Sequence, residues 1–263
     1  MAQQMIFFNK SVCDFSDSNV TATASQGSDY ASNALNRSNN SAWITTDSVD
    51  SDNTTFTVDM VDSHAITDIL LIKHNFSDYT IKYWDGAAYQ DFSTAINVSG
   101  GTAVNTHHTF NSVTTSKLQI TITGTIVADS DKQLYQFIAT TKIGQLDAFP
   151  VVKPVLSRNI RKQKMLSGKL LVTESIGAFK ADFKVRILSL DADLSIIEEL
   201  FSSNEGFLVW PCGGDEDQFA TERLGWRLED IYLCKCINEW KPEWYKGLYQ
   251  TGMKIDIKVH EIV

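Results

Sequence analysis

No glutamate occurs in the first 150 residues of this 263-residue chain. That stretch holds 15 Asp against 7 Lys and Arg, a net of −8; the remainder holds 7 Asp, 10 Glu and 16 Lys and Arg, a net of −1. Strand-and-loop folds favour short side chains that bond nearby backbone in turns, so the return of Glu marks a change of architecture, placed near Pro150 to Pro154. Four cysteines in a chain of this length do not make a disulfide framework. No apolar run approaches the roughly 20 residues of a membrane helix. The opening MAQQMIFFNKSVCDF lacks the charged leader and apolar core of a signal peptide, which predicts folding in the cytoplasm. A net charge of −9 argues against nucleic acid as the main partner.

Catalytic signatures are also absent. There is no supported Ser-His-Asp set, no Gly-rich phosphate loop and no paired Glu at a credible site. His64, His74, His107, His108 and His260 stand in no motif. Asp215-Glu216-Asp217 is contiguous where a calcium loop spaces its ligands, and Cys212, Cys234 and Cys236 fall short of a zinc set. The expectation is a protein that is not an enzyme and holds neither metal nor cofactor.

What the sequence has is alternation. Phe179, Ala181, Phe183, Val185 and Ile187 alternate with Lys180, Asp182, Lys184 and Arg186, the period of a half-buried strand. Met253, Ile255, Ile257 and Val259 alternate likewise with Lys254, Asp256, Lys258 and His260. Between them Leu190, Leu194, Ile197, Leu200 and Phe201 recur at helical spacing, predicting a helix over 191–203 with Ser189 or Asp191 as its cap. The apolar run Lys169–Thr173 and the strand from Phe179 suggest a hairpin, with the helix laid on it and Phe207–Trp210 returning. Gly225–Leu228 and Ile231–Ile237 read as further strands, and Trp240, Trp244 and Tyr245 as an aromatic cluster. The stretch 150–168 carries Lys153, Arg158, Arg161, Lys162 and Lys164 without an acid and reads as a basic connector. The expected division is 1–149, that connector, and 169–263.

The N-terminal part reads as all-β. Phe56–Met60, Ile66–Lys73, Thr80–Trp84 and Leu118–Ile122 are short strand candidates, and Asp85-Gly86 is a hairpin turn between Trp84 and Tyr89. Tyr30-Ala31-Ser32-Asn33-Ala34-Leu35-Asn36 followed by Ser41-Ala42-Trp43 resembles the opening of discoidin-type (coagulation factor 5/8 C-like) galactose-binding modules. Phe56–Asp59, Ile66–Ile72, Tyr79–Gly86, Lys117–Ile122 and Ile143–Leu146 follow in that family's order. The resemblance implies a jelly-roll sandwich with Trp43 in its core, and for many relatives sugar binding through loops at one end. The groups available for it are Tyr30, Trp84, Tyr89 and His107.

The order of basic connector, SGKLLV, FKADFKVRILSL, helix, FLVWP and closing KIDIKVHEI resembles the distal-tail and tail-tube proteins of bacteriophages. That likeness implies a β-sandwich or barrel with one packed helix. It also implies a virion tail location, self-assembly into a six-fold ring, and tail-tube and tip or hub proteins as partners. Exposed edges of the two alternating strands would pair subunits, with Lys180, Lys184, Arg186, Lys254 and Lys258 at the interface or lumen. The expected function is a structural ring at the distal tail; the alternative is an adhesin that recognises host glycans through the N-terminal module.

Overall fold

The computed structural model describes residues 4–14, 17, 19–36, 41–147, 149–151, 159–164, 170–175, 180–187, 192–210, 231–241, 243–246 and 251–261. In chain order the elements are β1 (Gln4–Asn9), β2 (Thr21–Ala24), a 3-10 helix (Ser28–Leu35), β3 (Trp43–Ile44), β4 (Thr54–His74), β5 (Phe76–Trp84), β6 (Tyr89–Val98), β7 (Asn105–Thr125) and β8 (Gln133–Thr140). Then come β9 (Lys142–Asp147), β10 (Phe149–Val151), β11 (Asn159–Lys164), β12 (Leu170–Ser175), β13 (Lys180–Ile187), α1 (Ala192–Ser202), β14 (Phe207–Trp210), β15 (Tyr232–Cys236), β16 (Glu243–Lys246) and β17 (Thr251–Glu261). The protein is mainly β, as its alternation predicts.

Contacts divide the chain into Lys10–Lys142 and a second unit made of Met1–Asn9 with Ile143–Val263. The first nine residues thus belong with the C-terminal part, and the unit Lys10–Lys142 is an insertion. The expected boundary at 149/150 falls within the second unit. Local composition marked the change of architecture but could not show that β1, ahead of the Glu-free module, pairs with β14 some 200 residues later, Ile6 opposite Trp210 and Phe8 opposite Leu208.

In the inserted unit one ribbon carries two layers. β4 and β7 stay paired along their length, Thr54–Asp59 against Ile122–Lys117 and His64–Ile72 against Thr115–Asn105. The register slips between Asp59 and His64, where Val61 takes a left-handed φ of 64° and donates its N–H to Asp59 Oδ1 at 3.0 Å. There the ribbon turns over. One layer is β2, the start of β4, the end of β7, β5 and β6; the other is β3, β8, the rest of β4 and the start of β7. Phe56, Val58, Ile120, Ile122, Tyr79 and Ile81 from the first meet Ile66, Ile69, Leu71, Phe110 and Phe137 from the second in one core. This is the sandwich in which side chains of two inner faces interdigitate. Trp43 is fully buried, its ring 4.9 Å from Phe56 and 6.4 Å from Phe76.

The second unit is built on an eight-stranded sheet in the order β10-β13-β17-β15-β14-β1-β9, with β16 also on β17. Its two ends, β9 and β10, are consecutive in the chain with only Ala148 between them. The chain thus passes directly from one end strand of this path to the other. Phe7, Leu146, Phe207, Val209, Cys234, Ile255, Ile257 and Val259 form its core together with Ile197 and Leu200 of α1. α1 lies within the expected 191–203; the caps expected from Ser189 and Asp191 lie outside the described residues, as do Asp215–Asp217, Cys212 and the strand expected at Gly225–Leu228. Gly144 lets α1 approach β9, since a Cβ there would meet the Ile196 side chain.

Three expectations change. β12 does not form a hairpin with β13. It pairs with β11, Ile160 opposite Glu174 and Lys164 opposite Leu170, in a two-stranded sheet of its own. The basic stretch is accordingly not a featureless connector: β10 pairs with β13 and β11 with β12. And the edges expected of the alternating strands are partly taken, because β10 pairs with β13 at Asp182–Lys184 and β17 lies between β13 and β15. Periodicity identifies a strand and its faces but carries no information about which strand lies beside it.

Candidate functional site

The sandwich has two ends. Thr54 pairs with Ile122 and Ile122 with Tyr79, and this level marks the loop end, where Ser25 N–H bonds the Thr55 carbonyl (2.9 Å) and Ile126 N–H the Asn75 carbonyl (2.8 Å). Trp84 is five residues further along β5, about 17 Å at ~3.3 Å per residue, beside the turnover. Its N–H meets Thr115 Oγ1 at 3.2 Å.

This geometry separates the four residues expected to bind sugar. Tyr30 stands at the loop end, on the 3-10 helix that begins after Gly27. Its side chain is 60% exposed. Trp84 and Tyr89 stand at the turnover end and face each other across the Asp85-Gly86 turn, rings 5.1 Å apart and nearly perpendicular. Asp85 Oδ1 accepts the N–H groups of Ala87 and Ala88, both at 2.8 Å, and Gly86 has φ 104°. Both rings are half-buried. His107 is the third residue of β7, opposite Leu70, with Nε2 2.7 Å from Asp68 Oδ1. Burial would raise the Asp68 pKa, but hydrogen bonds from His107, Thr67 and Thr109 hold it below the usual carboxylate range. His107 is thus engaged in a polar cluster within the sheet. One end holds Tyr30; the other holds the Trp84–Tyr89 pair.

The loop end is the more completely built. Asn75, between β4 and β5, donates Nδ2 to the Asp131 carbonyl (2.8 Å) and accepts Gln133 N–H at Oδ1 (2.9 Å), pinning loop 126–132. Thr45 N–H bonds the Lys132 carbonyl and Lys132 N–H returns to Thr45 Oγ1 (2.8 Å). Ser48 N–H meets Asp131 Oδ1 (3.1 Å). Asp50 and Asp129 exchange backbone-to-carboxylate bonds at 3.0 and 3.2 Å, and Thr125 Oγ1 donates to Asp50 at 2.7 Å. Lys132 is fully buried, its ammonium donating to the Val49 carbonyl at 2.9 Å. Around this polar frame Tyr30, Ile44, Val49, Val104 and Val127 are left exposed. The frame fixes the loops without help from a ligand, which lowers the ordering cost of binding.

Tyr30 is fixed by the same frame. Gln26 accepts Trp43 Nε1–H at its carbonyl (3.1 Å), and its Oε1 accepts Thr54 Oγ1–H (3.3 Å). Gly27 takes φ 63°, and a Cβ there would run into the Ile44 carbonyl oxygen. Ala31, Ala34 and Leu35 bury the helix underside. Sequence reasoning missed Asn75, Lys132 and Gly27, whose roles depend on partners distant in the chain. The Thr-Asp-Ser-Val-Asp-Ser-Asp run at 46–52 was the one local signal of a loop dense in backbone-bonding side chains.

In the second unit, register sets Lys180 opposite His260, Asp182 opposite Lys258, Lys184 opposite Asp256 and Arg186 opposite Lys254. On β17, Ile255, Ile257 and Val259 are buried, and Asp256 and Lys258 between them are exposed; the row of facing pairs holds both signs. A cavity of about 470 Å³ is lined by Ile237, Asn238, Glu239, Lys241, Glu243 and Asp256. Among the described residues no group of three or more His, Cys, Asp or Glu is placed to hold a metal. Cys234 is buried, and burial pushes the Cys236 thiol up to about 12.

No family model and no curated protein matches this chain. Among solved structures, it is similar to a chitosan-binding module derived from a chitosanase/glucanase of Paenibacillus sp. IK-5, at 21% identity over 50% of this chain and 98% of that one, TM-score 0.41. It is also similar to the family 32 carbohydrate-binding module of Clostridium perfringens NanJ in complex with galactose, at 15% identity over 47% of this chain and 94% of that one, TM-score 0.39. Likeness at this level assigns no ligand to this chain.

Proposed function

We propose that the Lys10–Lys142 unit is a glycan-binding module, with its ligand on the loop end beside Tyr30, and that the second unit carries it. The observation that supports this reading most is Tyr30 itself. Among the described residues it is the most exposed aromatic side chain, at 60%, and it stands on a helix whose start is locked by Trp43, Gln26 and Gly27. An apolar pyranose face stacks on such a ring, while sugar hydroxyls take fixed polar partners. Exposed Asp29, Thr46 and Asp47 supply acceptors on the same loops.

A glycan array probed with the full chain tests this. Wild type is expected to bind a subset of the sugars. Tyr30→Ala should weaken that binding about 10-fold, roughly 1.4 kcal/mol, with Trp84→Ala binding as wild type. Silence across the array, or loss in Trp84→Ala with Tyr30→Ala unaffected, would sink the reading.

A further inference from the structure

The base of the loop end holds a buried histidine whose bonds depend on its being neutral. His74 Nδ1 accepts the N–H of Phe76 at 3.1 Å, so that nitrogen carries no proton. The other ring nitrogen, Nε2, lies 3.1 Å from Thr106 Oγ1. Thr106 Oγ1 in turn accepts the Tyr79 hydroxyl at 3.0 Å, and that hydroxyl lies 2.9 Å from His108 Nε2. A proton arriving at His74 Nδ1 would set two N–H groups against each other in a site from which water is excluded.

We propose that His74 is an acid-sensitive pin for the loops that carry Tyr30, so that protonation of its ring loosens the loop end and releases the ligand. This rests on the glycan-binding reading above for the ligand, and on the geometry alone for the loosening. The His74 backbone N–H bonds the Val104 carbonyl at 2.8 Å, on the exposed loop before β7. Asn75, next in the chain, clamps Asp131 and Gln133. The His74 ring lies 5.0 Å from Phe76, and Phe76 touches Trp43, which holds Gln26 just ahead of the helix of Tyr30. One pin therefore supports three loops.

The groups around the ring favour the neutral form. β7 presents His108 and, beyond it, His107; β5 presents the Tyr79 hydroxyl. The loop before β8 brings Asp131 and Lys132, with side chains engaged by Ser48 N–H and the Val49 carbonyl; β3 brings Trp43 and Ile44. No carboxylate acts on His74: burial, and then the charge of His108, lower its pKa to about 4. The sign follows. With a folded value near 4 and an unfolded value of 6.5, the pinned state is fully favoured above pH 6.5 and loses its advantage as pH falls from 6.5 towards 4. At pH 4.5 the open state gains by a factor of roughly 75 from this one ring.

The test uses the ligand-free full chain, with backbone amide NMR of Phe76, Asp131 and Gln133 followed from pH 7.5 to 4. Wild type is expected to lose the Phe76 N–H hydrogen-bond signature at the start of β5 with the loop amides following, while the amides of Tyr79–Trp84 and of β7 hold. His74→Asn places a non-titrating amide oxygen near the Nδ1 position and should keep the loops closed through pH 4.5. His108→Gln removes the second titrating ring and should leave the transition in place, moved to higher pH. Closed loops in wild type at pH 4, equal opening in His74→Asn, or loss of the transition in His108→Gln would each overturn the proposal. Retention on galactosyl-agarose and chitosan beads at pH 7.5 and 4.5 forms the second arm. Loss of retention in step with loop opening supports release; retention that falls while the loops stay closed overturns it. Beads that retain nothing at either pH count against the glycan reading, with the loop transition still decided by NMR.

Discussion

Residues 150–263 expressed alone will not fold, whereas Met1–Asn9 joined through an Asn-Gly turn to Ile143–Val263 will give a cooperatively melting unit, and Lys10–Lys142 a folded module. The reason is the strands that the shorter fragment leaves out. A fragment beginning at 150 lacks β1 and β9, adjacent strands of the sheet, and with them the buried Phe7 and Leu146. Large-to-alanine changes at such positions cost about 3–5 and 2–5 kcal/mol. Their sum is comparable to the ~5–15 kcal/mol that holds a domain together, before counting the strand edge left open on β14. The insertion point supports the joined design, since β1 and β9 are neighbours in the sheet and the chain leaves from one and returns to the other. Circular dichroism melts of the three products check this. A cooperative melt from 150–263 alone would show that the sheet does not need its first strand.

Trp43→Ala is expected to unfold the inserted module at room temperature or leave it close to its midpoint. The ring is fully buried between Phe56 and Phe76, and its truncation costs about 3–5 kcal/mol through lost transfer energy and the cavity left behind. The Gln26 carbonyl also loses its donor, which frees the start of the helix bearing Tyr30. Trp43→Phe keeps most of the volume and should cost far less, with the module still folded. Urea titrations of the Lys10–Lys142 unit read both as shifts in midpoint at constant slope. Equal midpoints for Trp43→Ala and wild type would contradict the core assignment.

The parts of this fold that were legible in the sequence are those written locally. The alternation at Phe179–Ile187 and Met253–Val259 identified two strands, which pair with Phe183 opposite Ile257, and on the second of them Ile255, Ile257 and Val259 are buried as the pattern expects. The Asp85-Gly86 turn and the helix at Ala192–Ser202 were equally plain. The order of strands was not legible. Nothing in Gln4–Asn9 says that it will lie against Phe207–Trp210, because such pairings are decided by packing between distant residues rather than by local pattern. Which strands would flank β13 and β17 was illegible for the same reason.

The candidate site divides in the same way. Tyr30 was singled out as an aromatic on a loop, and the structure leaves it exposed. Grouping it with Trp84, Tyr89 and His107 failed because proximity in a sandwich depends on where a strand turns over, and Val61 with its φ of 64° gave no sign of that. His74 and Asn75 were silent for a related reason. A histidine between two strands acquires its meaning from Phe76, Thr106 and His108, and two of those lie more than 30 residues away.

The claim that matters most is that the loop end beside Tyr30 binds a sugar. An amide chemical-shift titration of the full chain at pH 7.5, with the strongest glycan from the array, tests it most directly. The account predicts saturable shifts confined to Gly27–Tyr30, Ile44–Asp52 and Val127–Lys132. Shifts centred on Trp84–Gln90, on Asp256 and Lys258 of β17, or nowhere, would contradict it.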